Sequence, residues 1–254
     1  MSLQKTEAIV LKSQKQGETS KIVTLYTRAF GKMKMIAKGA RSIKSRFGAT
    51  LEPASYISIV FYEKENREIQ FLSQAEILET FPKILKNLER TTLAMAVCEL
   101  VNKLEIGVSS NFTLFRLILE TLRAINSAVK EPRNCFLAFE VRILGIFGFR
   151  PNFNACLQCG NRNLGEVVFD VAHGGYTCAN CRRRQSPGMV LEQEALGALR
   201  AFQHTPLSRL NGYLASTTAQ QQVDDFLLDY IKYHVEGFGE LKAMKFLKKI
   251  HDST

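Results

Sequence analysis

The 254-residue sequence predicts an α+β chain: a small five-stranded barrel, a helical domain after it, and a four-cysteine module set among the helices. Three observations carry that prediction. Short apolar runs, some with a two-residue alternation, fill the first 80 residues. Beyond Phe81-Pro82 the apolar residues recur at helical spacing instead. Cys156, Cys159, Cys178 and Cys181 then form the pattern C-x2-C-x18-C-x2-C.

The strands come first. Ala8-Ile9-Val10-Leu11 is short and apolar, Ser20 to Arg28 is rich in Ile, Val, Thr and Tyr, and Gly31 marks a turn. Lys32-Met33-Lys34-Met35 alternates strictly, which places methionines inward and lysines outward on a half-buried strand. Ser55 to Glu63 and Glu68 to Ser73 read as an antiparallel pair across the polar loop Lys64-Glu65-Asn66-Arg67. Five short strands in this span suit the oligonucleotide/oligosaccharide-binding (OB) barrel, assigned to residues 1–80.

Residues 81–254 form the expected helical domain, interrupted at 152–186 by the cysteine module. Ile84, Leu85, Leu88, Leu93, Val97, Leu100, Val101 and Leu104 are read as bundle core on a first helix. Phe115, Ile118, Leu119 and Leu122 mark a second helix, and Phe136, Phe139, Ile143 and Phe147 a third that Pro151 closes. Further helices are expected over Leu191–Gln203 and Thr217–Val235. Cys98 and Cys135 read as small core residues.

The cysteine spacing is that of a structural zinc site. Two C-x2-C knuckles bring four thiolates to one tetrahedral ion, one per chain, and a closed cage leaves no position for substrate. Gly160, the apolar run Val167-Val168-Phe169 and Gly174-Gly175 before Tyr176 predict a strand and a hairpin between the knuckles. The competing reading, two separate redox or disulfide pairs, fits the symmetrical spacing less well. A zinc deaminase is excluded: His234-Val235-Glu236 follows the cysteines instead of preceding them, and Ala155 stands where proline belongs.

Charge is concentrated at one end. Residues 1–50 hold eleven Lys and Arg against Glu7 and Glu18, a net +9 out of the chain's +10. Within GKMKMIAKGARSIKSRFGATL, Lys32, Lys34, Lys38, Arg41, Lys44 and Arg46 meet no acid. Such a run is either a solvated loop or a contact surface for nucleic-acid phosphates, with Ser42, Ser45 and the backbone at Gly39 and Gly48 as further donors. Arg182-Arg183-Arg184 is a weaker second patch. On the Ser55–Glu63 strand, Tyr56 and Tyr62 share the more amphipathic face and serve either as base platforms or as barrel packing.

Catalytic patterns are missing. Gly39 to Ser45 resembles the end of a phosphate-binding loop, but Ile43 occupies the glycine position. His173, His204, His234 and His251 are scattered. No apolar run reaches the roughly 18 residues of a membrane span, and Met1 to Glu7 lacks a signal-peptide stretch. The expectation is a reducing, cytoplasmic setting, with neither membrane nor nucleotide as partner and no enzymatic activity.

The basic strand running into KGARSIKSRFGA, the barrel, the helices and the cysteine insert together resemble the RecO family of bacterial recombination and repair proteins. The resemblance spans essentially the whole chain and includes Gly17-Glu18, Thr27 to Gly31, Lys38-Gly39-Ala40-Arg41, Ser45-Arg46 and the four cysteines. It implies a nucleoid-associated mediator that binds single- and double-stranded DNA and anneals complementary strands without ATP. It also implies action with RecR, and in some pathways RecF, to load RecA on strands coated by SSB. Some members of the family lack the cysteines, which implies a structural metal. The DNA contacts are then assigned to Lys32, Lys34, Lys38, Arg41, Lys44 and Arg46. Two other classes compete: an RNA- or duplex-DNA-binding zinc-ribbon regulatory factor, and a metal-assisted nuclease, for which the sequence offers no carboxylate cluster.

Overall fold

The computed structural model describes residues 2–104, 110–162, 165–182, 188–213 and 215–252. Five strands, β1 (Ser2–Gln16), β2 (Ser20–Thr27), β3 (Gly31–Ala37), β4 (Tyr56–Glu63) and β5 (Ile69–Glu79), close in the order β1-β2-β3-β5-β4. Every pairing is antiparallel except β3 with β5. This is the expected OB-type barrel, although β1 and β5 are long strands with register shifts, at Val10/Lys12 where β1 pairs with β2, and opposite Tyr56/Ile57 and Val60/Phe61 of β4 where β5 pairs with it. Such bulges let long strands curve around a small barrel. Ile57, Ile59 and Phe61 point inward and join Val23, Leu25, Met35 and Leu72 in the core.

The segment between β3 and β4 has no regular structure, but it is part of the core. Ala40, Phe47 and Leu51 are buried with the strand residues, so the stretch that carries the basic cluster is anchored by its own apolar side chains. Gly39 and Gly48 take positive φ of 69° and 49° there, a conformation that side chains with a Cβ rarely adopt.

The helices are α1 (Pro82–Lys86), α2 (Leu88–Lys103), α3 (Phe112–Ser127), α4 (Arg133–Ile146), α5 (Gln193–His204), α6 (Thr217–His234) and α7 (Lys242–Asp252). The expected first helix is two: Asn87 is extended and accepts from the Arg90 N–H at 3.0 Å, capping α2. Leu85 and Leu88 flank this break and are 77% and 56% exposed, so the bundle-core role expected of both is wrong. Cys98 and Cys135 are buried.

The chain divides into two compact units, Met1–Asn126 with Leu241–Thr254, and Ser127–Glu240. The change from strand to helix at residue 81 therefore falls inside the first unit. There α2 lies against β1, with the Cys98 thiol 3.5 Å from the Val10 carbonyl oxygen. The Glu99 carboxylate of α2 accepts from the Lys242 and Ala243 N–H groups at 3.0 and 3.1 Å, fixing the start of α7. In the second unit α4, α5 and α6 carry a small sheet of order β7-β6-β8, made of β6 (Val167–Asp170), β7 (Gly175–Cys178) and β8 (Met189–Leu191).

Candidate nucleic-acid interface and metal centre

Strand alternation places Lys32, Lys34 and Ile36 on the outer face of β3, with Met35 and Ala37 inside. The six cations expected to act together are not equivalent. The Lys32 ammonium donates to the carbonyl oxygens of Asn102 and Leu104 at 3.2 and 3.0 Å. A cation at the carbonyl end of α2 is a favourable pairing and fastens that helix to the barrel. Lys34 pairs with Glu68 on the loop before β5, a counter-charge 34 positions away that the local sequence does not show. The pair holds the Glu68 carboxyl below its ordinary value. Both side chains are exposed, where such a pair adds little to stability.

The other four lie on the segment after β3. Lys38 is exposed and sits 5.7 Å from the centre of the Phe71 ring. Arg41 donates through Nη1 to the carbonyl oxygens of Gly17 and Glu18 at 3.0 and 2.9 Å, and its N–H donates to Thr19. Lys44 is exposed, and the Arg46 guanidinium lies 5.2 Å from the ring centre of buried Phe47. Ser42 and Ser45 are used within the loop itself. Ser42 Oγ donates to the Gly39 carbonyl oxygen at 2.8 Å, and Ser45 Oγ accepts from the Phe47 N–H at 3.2 Å. Ile43, in the position where a phosphate loop needs glycine, points fully into solvent.

The two tyrosines part company. Tyr56 is buried: its hydroxyl donates to Glu7 Oε2 at 2.8 Å and its ring meets Phe115 edge-on, so it packs the barrel against α3 and is not a base platform. Burial, with the Glu7 carboxylate adding to it, pushes its hydroxyl up to about 12. Tyr62, near the far end of β4, is 37% exposed and lies beside Phe71, with ring centres 6.0 Å apart.

In the second unit the four cysteine sulfurs all lie within 4.8 Å of one another. The local sequence explains the convergence. Gly160, at φ 70°, closes the first knuckle by donating to the Cys156 carbonyl oxygen at 3.0 Å, and the Cys181 N–H does the same for Cys178. Antiparallel pairing of β6 with β7 then carries Cys178 back to the first knuckle, where its N–H points at the Cys156 sulfur at 3.4 Å. Cys159 Sγ and Cys178 Sγ are 3.8 Å apart. A disulfide needs about 2.05 Å, whereas sulfurs at the corners of a tetrahedron with Zn–S bonds of about 2.3 Å stand about 3.8 Å apart. The group can hold a metal ion, and its dimensions are compatible with zinc.

Desolvation opposes ionisation of Cys156, but N–H groups of Cys159, Cys178 and Gln158 outweigh it and bring the thiol down to about 6. Cys181, hydrogen-bonded to the sulfurs of Cys159 and Cys178, is pushed up to about 12. A bound cation would stabilise the thiolate form of all four.

The module is held firmly from behind. Arg200 of α5 donates to the Phe153 carbonyl oxygen and to the Tyr176 hydroxyl, and Gln203 to the Pro151 carbonyl oxygen. Phe153, Phe169, Phe226 and Tyr230 pack ring against ring. Arg182 pairs with Glu166 at 3.8 Å, and Arg183 and Arg184 lie outside the described residues. His173 Nδ1 lies 2.8 Å from the Asp170 carboxylate, three residues before it, on the exposed β6–β7 turn.

Family models described as Recombination protein O N terminal and Recombination protein O C terminal match residues 1–81 and 85–244. The chain belongs to the RecO family. It is 30% identical to the DNA repair protein RecO of Thermoanaerobacter sp. (strain X514), over 99% of this chain and 100% of that one. It is 32% identical to the DNA repair protein RecO of Bacillus pumilus (strain SAFR-032), over 97% and 94% of the two chains. The corresponding protein of Pelotomaculum thermopropionicum is 31% identical over 98% and 95%. Among the described residues, no helix is long and apolar enough to cross a membrane.

Proposed function

We propose that the protein is a non-enzymatic DNA-binding mediator of recombinational repair. It anneals complementary single strands without ATP and, with RecR and in some pathways RecF, helps load RecA on SSB-coated DNA in the cytoplasm. The observation that carries this reading is the cationic outer surface of the barrel, Lys34 on β3 followed by Lys38, Arg41, Lys44 and Arg46, in a chain of the RecO family.

The physics of annealing fits that surface. Two complementary strands are polyanions that repel each other until they pair, and a dense row of exposed cations reduces the repulsion while leaving base edges free. Lys34, Lys38, Lys44 and Arg46 are the primary phosphate contacts in this reading. Arg41 contributes charge and fixes the loop, and Lys32 contributes charge beside the end of α2. Zinc is the proposed occupant of the Cys156, Cys159, Cys178 and Cys181 cage, with a structural role, because a closed four-thiolate shell offers no coordination site for chemistry.

The test is strand annealing on naked and SSB-coated complementary strands, with ATP, with a non-hydrolysable analogue, and with neither. The proposal expects equal rates in all three conditions. A strict requirement for hydrolysis, or the absence of annealing with DNA binding intact, overturns it.

A further inference from the structure

The basic loop does not stand alone on the barrel's outer face. Strand register lines up five apolar side chains, one from each strand. Leu3 of β1 faces Tyr62 of β4, Tyr62 faces Phe71 of β5, Phe71 faces Ile36 of β3, and Ile36 faces Ile22 of β2. Directly paired residues project from the same side of a sheet. Here that is the outer side, where water would ordinarily select polar residues. Leu3 is 61% exposed. Ile22, Ile36, Tyr62 and Phe71 line a shallow groove of about 590 Å³ together with Lys38 and Arg67. Among the described residues its lining holds two cations and no carboxylate.

We infer that this stripe is a stacking platform for the bases of an unpaired DNA strand, with Tyr62 and Phe71 as the seats and Lys38 and Arg67 on the flanking phosphates. The inference rests on the proposed DNA-binding role of the same barrel and adds what that role lacks, a reason to prefer single strands. Cations alone do not distinguish a single strand from a duplex. Ring faces that open onto a groove do, as exposed Tyr62 and half-buried Phe71 do here, because only an unpaired base has a free face to lay on them. The two rings sit on neighbouring strands with centres 6.0 Å apart and an interplanar angle of 40°, open toward the groove. Lys38 hovers 5.7 Å from the Phe71 ring centre, so a base arriving there displaces its ammonium from the ring toward that nucleotide's phosphate. A protein partner would also find apolar area here. Two flanking cations, and continuity with the basic loop through Lys38, favour the polyanion.

The experiment uses the full chain and three probes: a labelled oligothymidylate, an abasic strand of the same length, and a duplex. Tyr62→Leu and Phe71→Leu keep the stripe apolar and remove the rings. Each should lose about 10-fold in affinity for the oligothymidylate, with abasic-strand and duplex binding and the salt dependence unchanged. Tyr62→Phe should bind like the unaltered protein. The chain has no tryptophan, so its emission is tyrosine emission. Part of that emission should be quenched by oligothymidylate, and the part should be missing in Tyr62→Phe. This readout decides the matter if a leucine variant folds poorly.

Equal losses on the abasic strand, or oligothymidylate affinity unchanged in both leucine variants, overturn the platform while leaving phosphate binding by the barrel intact. An altered oligomeric state or partner binding with unchanged DNA affinity overturns it in favour of a protein interface. If the unaltered protein binds none of the probes, the DNA-binding role itself fails.

Discussion

Arg41 is tied to Gly17: its Nη1 donates to that glycine's carbonyl oxygen at 3.0 Å and to the next one, at Glu18, at 2.9 Å. One of the loop's own cations thus fastens the basic segment to the β1–β2 turn, where Gly17 takes a φ of 58° that favours glycine. Cation and clamp are the same side chain.

This division of labour separates Arg41 from Lys44. Arg41→Ala should weaken DNA binding more than Lys44→Ala, because it removes a charge and also frees the loop. Limited proteolysis should cut the 38–55 segment faster in Arg41→Ala only. Lys44→Ala should flatten the salt slope of single-strand binding by about 0.7, the contribution of one phosphate contact. Equal effects of the two changes on affinity and on proteolysis would remove the clamp from the account.

Metal removal should act on stability before function. The second unit's small sheet contains β7, which ends at Cys178, and the binding energy of a structural zinc is largely folding energy. Cys178→Ser should lower metal content from one ion per chain and lower the melting temperature, and a chelator should do the same to the unaltered protein. Full metal content in Cys178→Ser with unchanged melting would contradict the four-cysteine ligand set.

The pH dependence of stability has a specific source in α4. Burial, with Asp224 adding to it and Arg133 opposing, pushes the Glu140 carboxyl up from its ordinary 4.5 to about 8. The folded chain therefore holds this proton more tightly than the unfolded chain. The stabilisation is fully present below about pH 4.5 and is lost as pH rises toward about 8. Glu140→Gln is neutral throughout, so its melting temperature should gain on that of the unaltered protein by several degrees between pH 5 and pH 8. A difference between the two that does not change with pH would show that Glu140 ionises normally in the fold.

The parts of the molecule legible in the sequence are those with a period or a spacing. Alternation marks β3, the C-x2-C pairs mark the metal cage, and the Gly174-Gly175 pair marks the β6–β7 hairpin. What stayed hidden depends on contacts between distant segments. Glu68 reaches Lys34 only because β5 pairs with β3 in parallel, and Tyr56 is covered only because α3 places Phe115 over it. Phe47 and Leu51 belong to no periodic run, so their burial in the barrel core has no local signature. Helix α7 does carry Ala243, Met244, Phe246, Leu247 and Ile250 at helical spacing among its lysines, but its start is fixed by Glu99 of α2, which is remote in sequence. Leu85 and Leu88 fit a helical period yet face solvent, because the chain breaks at Asn87 between them.

The central claim is that the segment after β3 holds DNA by its phosphates. The most direct measurement is the affinity for single-stranded DNA as a function of salt, for the unaltered protein and for Lys38→Ala/Lys44→Ala/Arg46→Ala, which leaves the Arg41 clamp in place. Three phosphate contacts at about 0.7 each predict that the slope of log affinity against log salt flattens by about 2 units, with annealing slowed in parallel. A variant that folds normally and keeps both its affinity and its salt slope would contradict the account.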